Sequence, residues 1–533
     1  MRAPVTKSVA STYARRVPEE TILYDTVRDQ LETFLGCAEA AGRSVPAFVE
    51  RELRAYLKCG ILAHGFVRLE CAKCGSNRLV AFSCKGRGFC PSCGGRRMAE
   101  TAAFLVDHVL PFTPVRQWVL SLPIALRYRL AYDSGLAADV LQVFIRAVFT
   151  SLRRRARHKL GPGKYECGAI TFVQRFGDAL NLNLHYHSIV LDGVYLTDQS
   201  ERSRFRPLPE PRNEDVERVT RQIVRRLRAL LVRRSLTADA DIGDADPLAA
   251  DEPLLAKIYA ASVQGHTAMG PRAGRRLLRM GELVDPEESA SLDNPRCTSI
   301  DGVSLHANVA VPARDRRRLE RLCRYVTRPP IATQRLSRLD DGRLLYRLKR
   351  RWRDGTTHVV YEPMELVEKL AGIIPPPRCH MTRYHGVLAP RAALRHVAVN
   401  DRVHASCREE KATPRREPSS CHSTPHAADR SVASNRSDRG RAGSSQRCAS
   451  REPRERSNPP RCTLPWIPWA ELMRRVFAVD VLQCPACGGA MRVLAVIHPP
   501  DATREILESM GLSARAPPLA PSRVEHAAGI ETD

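Results

Sequence analysis

The sequence lacks long apolar runs, since no uninterrupted stretch approaches the roughly 18–20 residues that a membrane-spanning helix needs. Its first residues, MRAPVTKSVASTYARRVPEET, lack the apolar core of a signal peptide. Internal repeats are absent as well. We therefore expect a soluble intracellular protein that has no membrane partner.

Acidic residues are few compared with basic ones. Lys and Arg number 84 against 58 Asp and Glu, which gives a formal net charge of +26. A charge of this size favours a polyanionic partner, because Lys and Arg that neutralise phosphates release the counterions condensed on them. Nucleic acid is favoured over an anionic membrane surface.

The length of 533 residues indicates roughly three or four units. We predict an N-terminal helical segment (1–57), a zinc-binding domain (58–108), a catalytic-type domain (110–400), a disordered linker (401–462) and a short C-terminal module (463–533). The linker prediction depends on a stretch rich in Arg, Ser and Pro that has few apolar residues. In the third unit, strand-like runs such as RQWVLSLP, GAITFVQRF and THVVYEP alternate with helical ones, which predicts an α+β or α/β fold, and the first of these is the class we adopt.

Cysteine is plentiful, with 17 residues in a chain that is neither small nor secreted, so paired cysteines are read as metal ligands. Two Cys-x-x-Cys pairs lie fifteen residues apart, and they comprise Cys71, Cys74, Cys90 and Cys93. This spacing predicts a zinc ribbon with four thiolates on one Zn²⁺. Four thiolates leave no open coordination position, so the expected role is structural.

Further cysteines lie near this block. Cys59, His64 and Cys84 could form a second site, replace one ligand of the first, or be ordinary buried residues. Near the C-terminus, Cys484 and Cys487 repeat the pair and are candidate zinc ligands, although no second pair is evident close to them.

Two histidines stand one residue apart in the stretch NLNLHYHSIVLDGVY. On a strand, His185 and His187 project to the same side while Leu184 and Tyr186 project to the other. The pair could share a metal ion or lie on a solvated strand face. Because 16 histidines among 533 residues would give about 0.5 such pairs by chance, the pair alone does not decide between them.

A candidate nucleophile lies in DRRRLERLCRYVTRPP. The apolar stripe of this predicted helix leaves Tyr325 at the edge of the buried face, and the helix must end by Pro329 and Pro330. Arg321 and Arg328 flank the tyrosine, where they could bind a phosphate and stabilise a phenolate. The alternative is an amphipathic helix with a half-buried tyrosine and solvated arginines.

Taken in order along the chain, these segments resemble the rolling-circle transposases of the insertion-sequence-91 family, within the HUH nuclease superfamily. The resemblance covers roughly residues 50–400 and 464–495. It is carried by CGILAHGF, SCKGRGFCPSCGGRRM, RQWVLSLP, FVQRFGDALNLNLHYHSIVLDGVY, ASVQG, SLHANVAVP, LCRYVTRPPIA, RDGTTHVVYEP, RYHGVLAP and WAELMRRVFAVDVLQCPACGG.

The resemblance implies a HUH-type antiparallel sheet with flanking helices, preceded by the zinc ribbon and followed by the linker and the C-terminal module. It implies that His185 and His187 bind Mg²⁺ or Mn²⁺. It further implies that Tyr325 attacks single-stranded DNA at transposon ends, giving a 5′-phosphotyrosine link and a free 3′-hydroxyl. The implied location is the cytoplasm of a prokaryote, at the nucleoid.

Two features depart from the family pattern. Some relatives carry two tyrosines four residues apart, whereas this chain has Arg321 in the place of the first, so we expect a single-tyrosine mechanism. The stretch 401–462 is longer than the joint expected there and resembles an out-of-frame translation, which would fit an inactive or altered copy.

The third metal ligand is open. His306 and Gln174 are candidates, since each lies on a predicted strand that could neighbour the histidine strand; a role in the core or on the sheet surface is the alternative for both. Two further functions also remain: a zinc-ribbon DNA-binding protein with a decayed nuclease centre, and a replication initiator of the same chemistry. The sequence leaves the oligomeric state and the DNA target undetermined.

Overall fold

Helices and antiparallel strands share the chain, for which the computed structural model describes residues 15–198, 202–236, 246–281, 295–399, 468–477 and 479–524. The predicted linker, 401–462, lies outside these residues. The helices are α1 (Ile22–Ala40), α2 (Ala47–Lys58), α3 (Pro91–His108), α4 (Ile124–Tyr132), α5 (Ser134–Leu160), α6 (Asn213–Arg233), α7 (Pro247–Asp251), α8 (Pro253–Gln264), α9 (Arg316–Val326), α10 (Pro363–Ile373), α11 (Trp469–Phe477) and α12 (Asp501–Ser509).

The strands form four sheets within the described residues, and every strand pair is antiparallel. The strands are β1 (Phe66–Cys71), β2 (Asn77–Ala81), β3 (Val115–Ser121), β4 (Tyr165–Glu166), β5 (Gly168–Phe176), β6 (Leu182–Leu191), β7 (Gly193–Thr197), β8 (Ser203–Pro207), β9 (Leu278–Gly281), β10 (Cys297–Ile300), β11 (Val303–His306), β12 (Ala310–Val311), β13 (Leu336–Arg338), β14 (Leu344–Arg347), β15 (Thr356–Tyr361), β16 (Thr382–Gly386) and β17 (Met491–Ile497).

The largest sheet has seven strands in the order β10-β11-β3-β6-β5-β16, with β12 also paired to β3. Its central strands β3, β5 and β6 overlap the predicted strand-like runs RQWVLSLP, GAITFVQRF and LHYHSIVLDGVYL. Helices cover the sheet on both sides, so β3, β5 and β6 are mostly buried, while Ser121, Asn183 and His185 near one end of β3 and β6 stay partly exposed. The mixed helical and antiparallel character agrees with the expected α+β class.

One face of this sheet packs on α5 and α6. By composition and length α5 is the one described helix that could cross a membrane, but its apolar side chains, among them Leu136, Val140, Phe144 and Val148, lie in the core under the sheet. The other face packs on α3 and α9. The residues that share this second face with α9 form the site described below.

Two further assemblies frame the sheet. The N-terminal helices α1 and α2 pack with α8, α10 and the four-stranded sheet β13-β14-β15-β9 in one continuous core. The C-terminal strand β17 pairs with β1, so the third sheet has the order β17-β1-β2 and joins residues that lie more than 400 positions apart.

Candidate active site and metal centres

The two histidines lie side by side on β6 and face α9. In the register of the sheet, His187 lies between Val119 of β3 and Phe172 of β5, and His306 of β11 lies beyond Val119. Tyr186 points to the opposite face, where its hydroxyl donates to Ala137 O at 2.8 Å. The period-two prediction for this strand is therefore confirmed.

Each imidazole has a defined partner at Nδ1. His185 Nδ1 donates to Asn183 O at 2.8 Å, because a carbonyl oxygen can only accept, and this leaves Nε2 with its lone pair free. His187 Nδ1 lies 2.8 Å from Gln117 Nε2, and both side chains are buried. A partner at one ring nitrogen that orients the other is the arrangement found around metal-binding histidines.

Both imidazoles are held neutral. Burial lowers the pKa of His185 to about 4, with the nearby Arg328 and Arg127 acting in the same direction. Burial lowers the pKa of His187 as well, and the neighbouring His185 adds to the effect. A metal ion would thus meet no competing proton at neutral pH.

Tyr325 is brought to this pair by α9. Asp315 caps the helix by accepting from Arg318 N at 2.9 Å, and an apolar stripe of Leu319, Leu322, Cys323 and Val326 is buried against α3 and the sheet. The Tyr325 ring lies 6.0 Å from the His187 ring, centroid to centroid, at an interplanar angle of 88°. With 37% of its surface exposed, the phenol is accessible from solvent.

Cations surround the phenol. Lys349 Nζ lies 4.1 Å from the centroid of the Tyr325 ring, and Arg328 Cζ lies 5.0 Å from it. The cavity in front of them has a volume of about 610 Å³ and is lined by His185, His187, His306, Tyr325 and further basic residues, Arg318, Arg321, Arg328, Lys349 and Arg350. One carboxylate, Asp178, also lines it and lies 3.8 Å from Arg328. The site is therefore strongly positive where a phosphate would enter.

The candidates for a third ligand are placed differently. His306 lines the cavity, whereas Gln174 lies opposite His185 on β5 and its Nε2 donates to Val326 O at 2.8 Å, which ties the end of α9 to the sheet. Asn183, two residues before His185 on the same face, also lines the cavity, and its Oδ1 is buried without a hydrogen-bond partner. Among the described residues, groups of three or more His, Cys, Asp or Glu ligands close enough for one ion consist of cysteines only.

The cysteines form two tetrads. The first comprises Cys59, Cys84, Cys90 and Cys93, and the second comprises Cys71, Cys74, Cys484 and Cys487. The prediction that Cys71, Cys74, Cys90 and Cys93 share one ion is wrong. Each Cys-x-x-Cys turn, hereafter a knuckle, lies beside other thiols. Hairpin β1-β2 carries the knuckle of Cys71 and Cys74 away from α3, and Cys90 and Cys93 lie at the N-terminus of α3. His64 belongs to neither tetrad.

The thiol spacing fits zinc in both tetrads. Three Sγ–Sγ distances in the first tetrad are 3.4–3.7 Å and two in the second are 3.5–3.6 Å, and within each tetrad all four sulfurs lie within 4.8 Å of one another. Four thiolates around one tetrahedral zinc ion lie about 3.8 Å apart, whereas a disulfide is about 2.05 Å long. Backbone N–H groups of Cys74 and Lys73 lower the pKa of Cys71, and that of Cys487 lowers the pKa of Cys484 to about 6. Structural Zn²⁺ is the ion that these sites fit.

Sequence reasoning missed several of these residues. Lys349 and Arg350 come from the basic run RLKRRWRDG, which gives no sign that it faces Tyr325. Gln117 and Asn183 carry no motif, although Asn183 has the same strand parity as the histidines. Gly94 directly follows the second Cys-x-x-Cys pair and lies in α3, where an added Cβ would lie 2.7 Å from Pro329 Cβ, just beyond α9.

Comparison with known families gives two matches. Residues 168–395 match a family model described as "Putative transposase", and residues 26–122 match one described as "Transposase zinc-binding domain". The first contains the histidine pair and Tyr325, and the second contains the whole first tetrad. No curated protein and no solved structure matches the chain.

Proposed function

Because the chain belongs to the insertion-sequence-91 family of transposases, we propose that it nicks and rejoins single-stranded DNA at transposon ends through Tyr325. The matched transposase domains indicate a DNA-binding enzyme that cleaves and transfers DNA strands. The observation that carries the finer proposal is the position of Tyr325, an exposed phenol 6.0 Å from a buried, neutral histidine pair in a cavity lined by cations. The sheet and α9 would then form a HUH-type catalytic domain.

The proposed reaction is a transesterification. Tyr325 Oη loses its proton to solvent and attacks a backbone phosphorus, so that a phosphorus–Oη bond forms and the bond to the 3′-oxygen breaks. That oxygen takes up a proton and leaves as a free 3′-hydroxyl, while the 5′-phosphate stays on the tyrosine. Attack by a 3′-hydroxyl on the phosphotyrosine reverses the exchange, so no external energy source is needed.

The basic residues have two tasks in this scheme. Arg328 and Lys349 lie closest to the phenol and stabilise its negative charge as the proton leaves. Arg321, Arg318 and Arg350 bind the flanking phosphates and fix the strand so that one phosphorus faces Tyr325. Arg321 stands where some relatives have a second tyrosine, so a single tyrosine serves both cleavage and rejoining.

The histidine pair fits a divalent ion, Mg²⁺ or Mn²⁺. His185 and His187 would hold it through Nε2, and Asn183 Oδ1, buried without a partner, offers a further oxygen beside them. His306 remains a candidate ligand, and so does Gln174, whose Oε1 is buried without a partner although the side chain does not line the cavity. When bound, the ion would polarise the scissile phosphodiester.

His187 can use Nε2 only if Nδ1 carries its proton. Gln117 must then present its carbonyl oxygen to Nδ1–H, a rotation of the amide that leaves its position unchanged. Gln117 is therefore the residue that sets the tautomer of His187 in this proposal.

The test is an oligonucleotide from the element end that carries one dye at its 5′ end and another at its 3′ end, incubated with Mg²⁺ or Mn²⁺. The 3′ dye should become covalently attached to the protein, and the 5′ fragment should end in a 3′-hydroxyl that a polymerase extends. Tyr325→Phe should abolish the adduct and leave DNA binding nearly unchanged.

The matched control is Tyr384→Phe on β16, a half-buried tyrosine in the same sheet beside Arg395. This variant should form the adduct at the wild-type rate. An adduct that persists in Tyr325→Phe would refute the assignment, and wild-type protein that binds but forms no adduct would favour a DNA-binding protein with an inactive centre.

A further inference from the structure

The second cysteine tetrad joins two ends of the chain. Cys71 and Cys74 lie at the end of β1 and in the turn after it, whereas Cys484 and Cys487 lie in the C-terminal segment, which we define as residues 468–524. The zinc-binding domain match ends at residue 122 and so contains half of this tetrad. We propose that the tetrad binds Zn²⁺ as a clasp that holds the C-terminal segment on the N-terminal domain.

The two knuckles are built to meet. Cys71 Sγ lies 3.5 Å from Cys487 Sγ, and Cys74 Sγ lies 3.6 Å from Cys484 Sγ, so each thiol of one pair contacts a thiol of the other. Gly75 and Gly488 follow the knuckles with φ of +70° and +69°, a conformation that glycine adopts without strain. A Cβ at Gly489 would lie 3.0 Å from Lys73 Cβ and 3.2 Å from both Cys71 Sγ and Cys487 Sγ, so the close approach of the two turns favours glycine there.

Apolar contacts alone hold the C-terminal segment weakly. Among its described residues the buried aliphatic or thioether side chains are Leu472, Val481, Met491 and Leu507. Three side chains of β17, those of Val493, Leu494 and Val496, are instead exposed. Four buried side chains are few for ordering more than fifty residues, so a metal link would add to the pairing of β17 with β1 in fixing the segment.

The C-terminal segment also contacts α3 and α9, the two helices on the site-facing side of the large sheet. Strand β17 pairs with β1, Leu507 of α12 packs on Leu62 and Phe66, and Leu472 of α11 packs on Ala99 and Ala103 of α3. Arg475 of α11 bonds Asp107 of α3 and also Glu320 of α9, the latter at 3.0 Å. The clasp would therefore keep α11 against the helix that carries Tyr325.

The first test counts metal in the full chain. Wild-type protein should contain two Zn²⁺ per chain, and Cys484→Ser with Cys487→Ser should contain one. Cys487→His should keep two, because a Cys₃His set also binds zinc, and Cys297→Ser, at an exposed cysteine outside both tetrads, should keep two as a matched control. Two ions in the double variant would overturn the proposal.

A measurement without any cysteine substitution supports the count. Titration of the metal-free full chain with Co²⁺ should develop tetrathiolate absorption up to two equivalents, and saturation at one would overturn the proposal.

The second test asks whether the site is a clasp. A site-specific protease sequence is inserted between residues 400 and 467, the zinc-loaded protein is cut, and the products are separated by size under native conditions. The C-terminal fragment should co-elute with the rest of the chain, and it should separate after the double serine substitution or zinc chelation. Separation in the presence of zinc, or co-elution of the double variant, would overturn the proposal. No readout here involves DNA, so the outcome is independent of Tyr325.

Discussion

Gln117 is predicted to control the affinity of the histidine pair for a divalent ion. Its amide lies 2.8 Å from His187 Nδ1, and the two side chains expose only 4% and 5% of their surface, so water cannot take the place of the amide easily. Gln117→Ala should remove the group that fixes the His187 tautomer. Loss of such a partner costs about 10–100-fold in metal affinity, or ~1.4–2.7 kcal/mol.

The assay measures Mn²⁺ binding and catalysis separately. Free Mn²⁺ is followed by electron paramagnetic resonance to give Kd, and the rate of adduct formation is measured as a function of Mn²⁺ concentration. Gln117→Ala should raise Kd by about 10–100-fold. At saturating Mn²⁺ the rate should return to within a few fold of wild type, because Tyr325 and its cations are unchanged.

Ser121→Ala is the matched control, since Ser121 lines the same cavity from the same strand and lies opposite His185. It should leave Kd for Mn²⁺ near the wild-type value. A Gln117→Ala variant with unchanged Kd would refute the role given to Gln117, and a rate that excess Mn²⁺ does not restore would place its effect elsewhere.

Three other predictions concern charge, protonation and zinc. Arg328→Ala should lower the rate of adduct formation at saturating DNA by about 10²–10³-fold, because a donor to the developing charge is lost. The rate is measured in a single-turnover assay, with Arg204→Ala, at an exposed arginine on β8, as the control. Equal rates for the two variants would contradict the role given to Arg328. Burial lowers the pKa of His185 to about 4, so the imidazole stays neutral at pH values well below 6.5. The contribution of this shift to the free energy of unfolding is fully present above about pH 6.5 and is lost as the pH falls towards 4. Mn²⁺ binding should accordingly be kept at pH 5.5, and a midpoint of loss near 6.5 in a Mn²⁺ titration across pH would contradict the burial effect. Cys90→Ser should lower Tm more than Cys74→Ser, since Cys90 is buried in the core with Tyr56 and Phe89 whereas Cys74 is exposed; equal shifts in thermal unfolding would argue against this difference.

The sequence predicted the parts of this molecule that local periodicity determines. Alternation placed His185 and His187 on one face of β6, and the apolar stripe of α9 left Tyr325 at its edge, where the structure has it 37% exposed. The partner of each residue across the sheet was not predictable in this way. Gln117 reaches His187 from 70 positions away, and Lys349 reaches Tyr325 through a loop whose sequence is simply basic.

The cysteines show the same division. Spacing identified the pairs Cys71–Cys74 and Cys90–Cys93 as chelating turns, but a turn does not specify which second pair it meets. Cys59 and Cys84 complete one tetrad as isolated residues, and Cys484 and Cys487 complete the other from 410 positions away. Proximity in sequence favoured the wrong pairing, because the path of β1 and β2 separates the two knuckles in space.

Peptide mapping can show whether Tyr325 becomes covalently joined to DNA. Wild-type protein is incubated with single-stranded element-end DNA and Mn²⁺, the DNA is digested to a short remnant, and tryptic peptides are analysed by mass spectrometry. We expect the nucleotide remnant on the peptide YVTRPPIATQR, residues 325–335, with fragment ions that place it on Tyr325. A remnant on any other tyrosine, or a serine or threonine of the chain, would contradict this expectation.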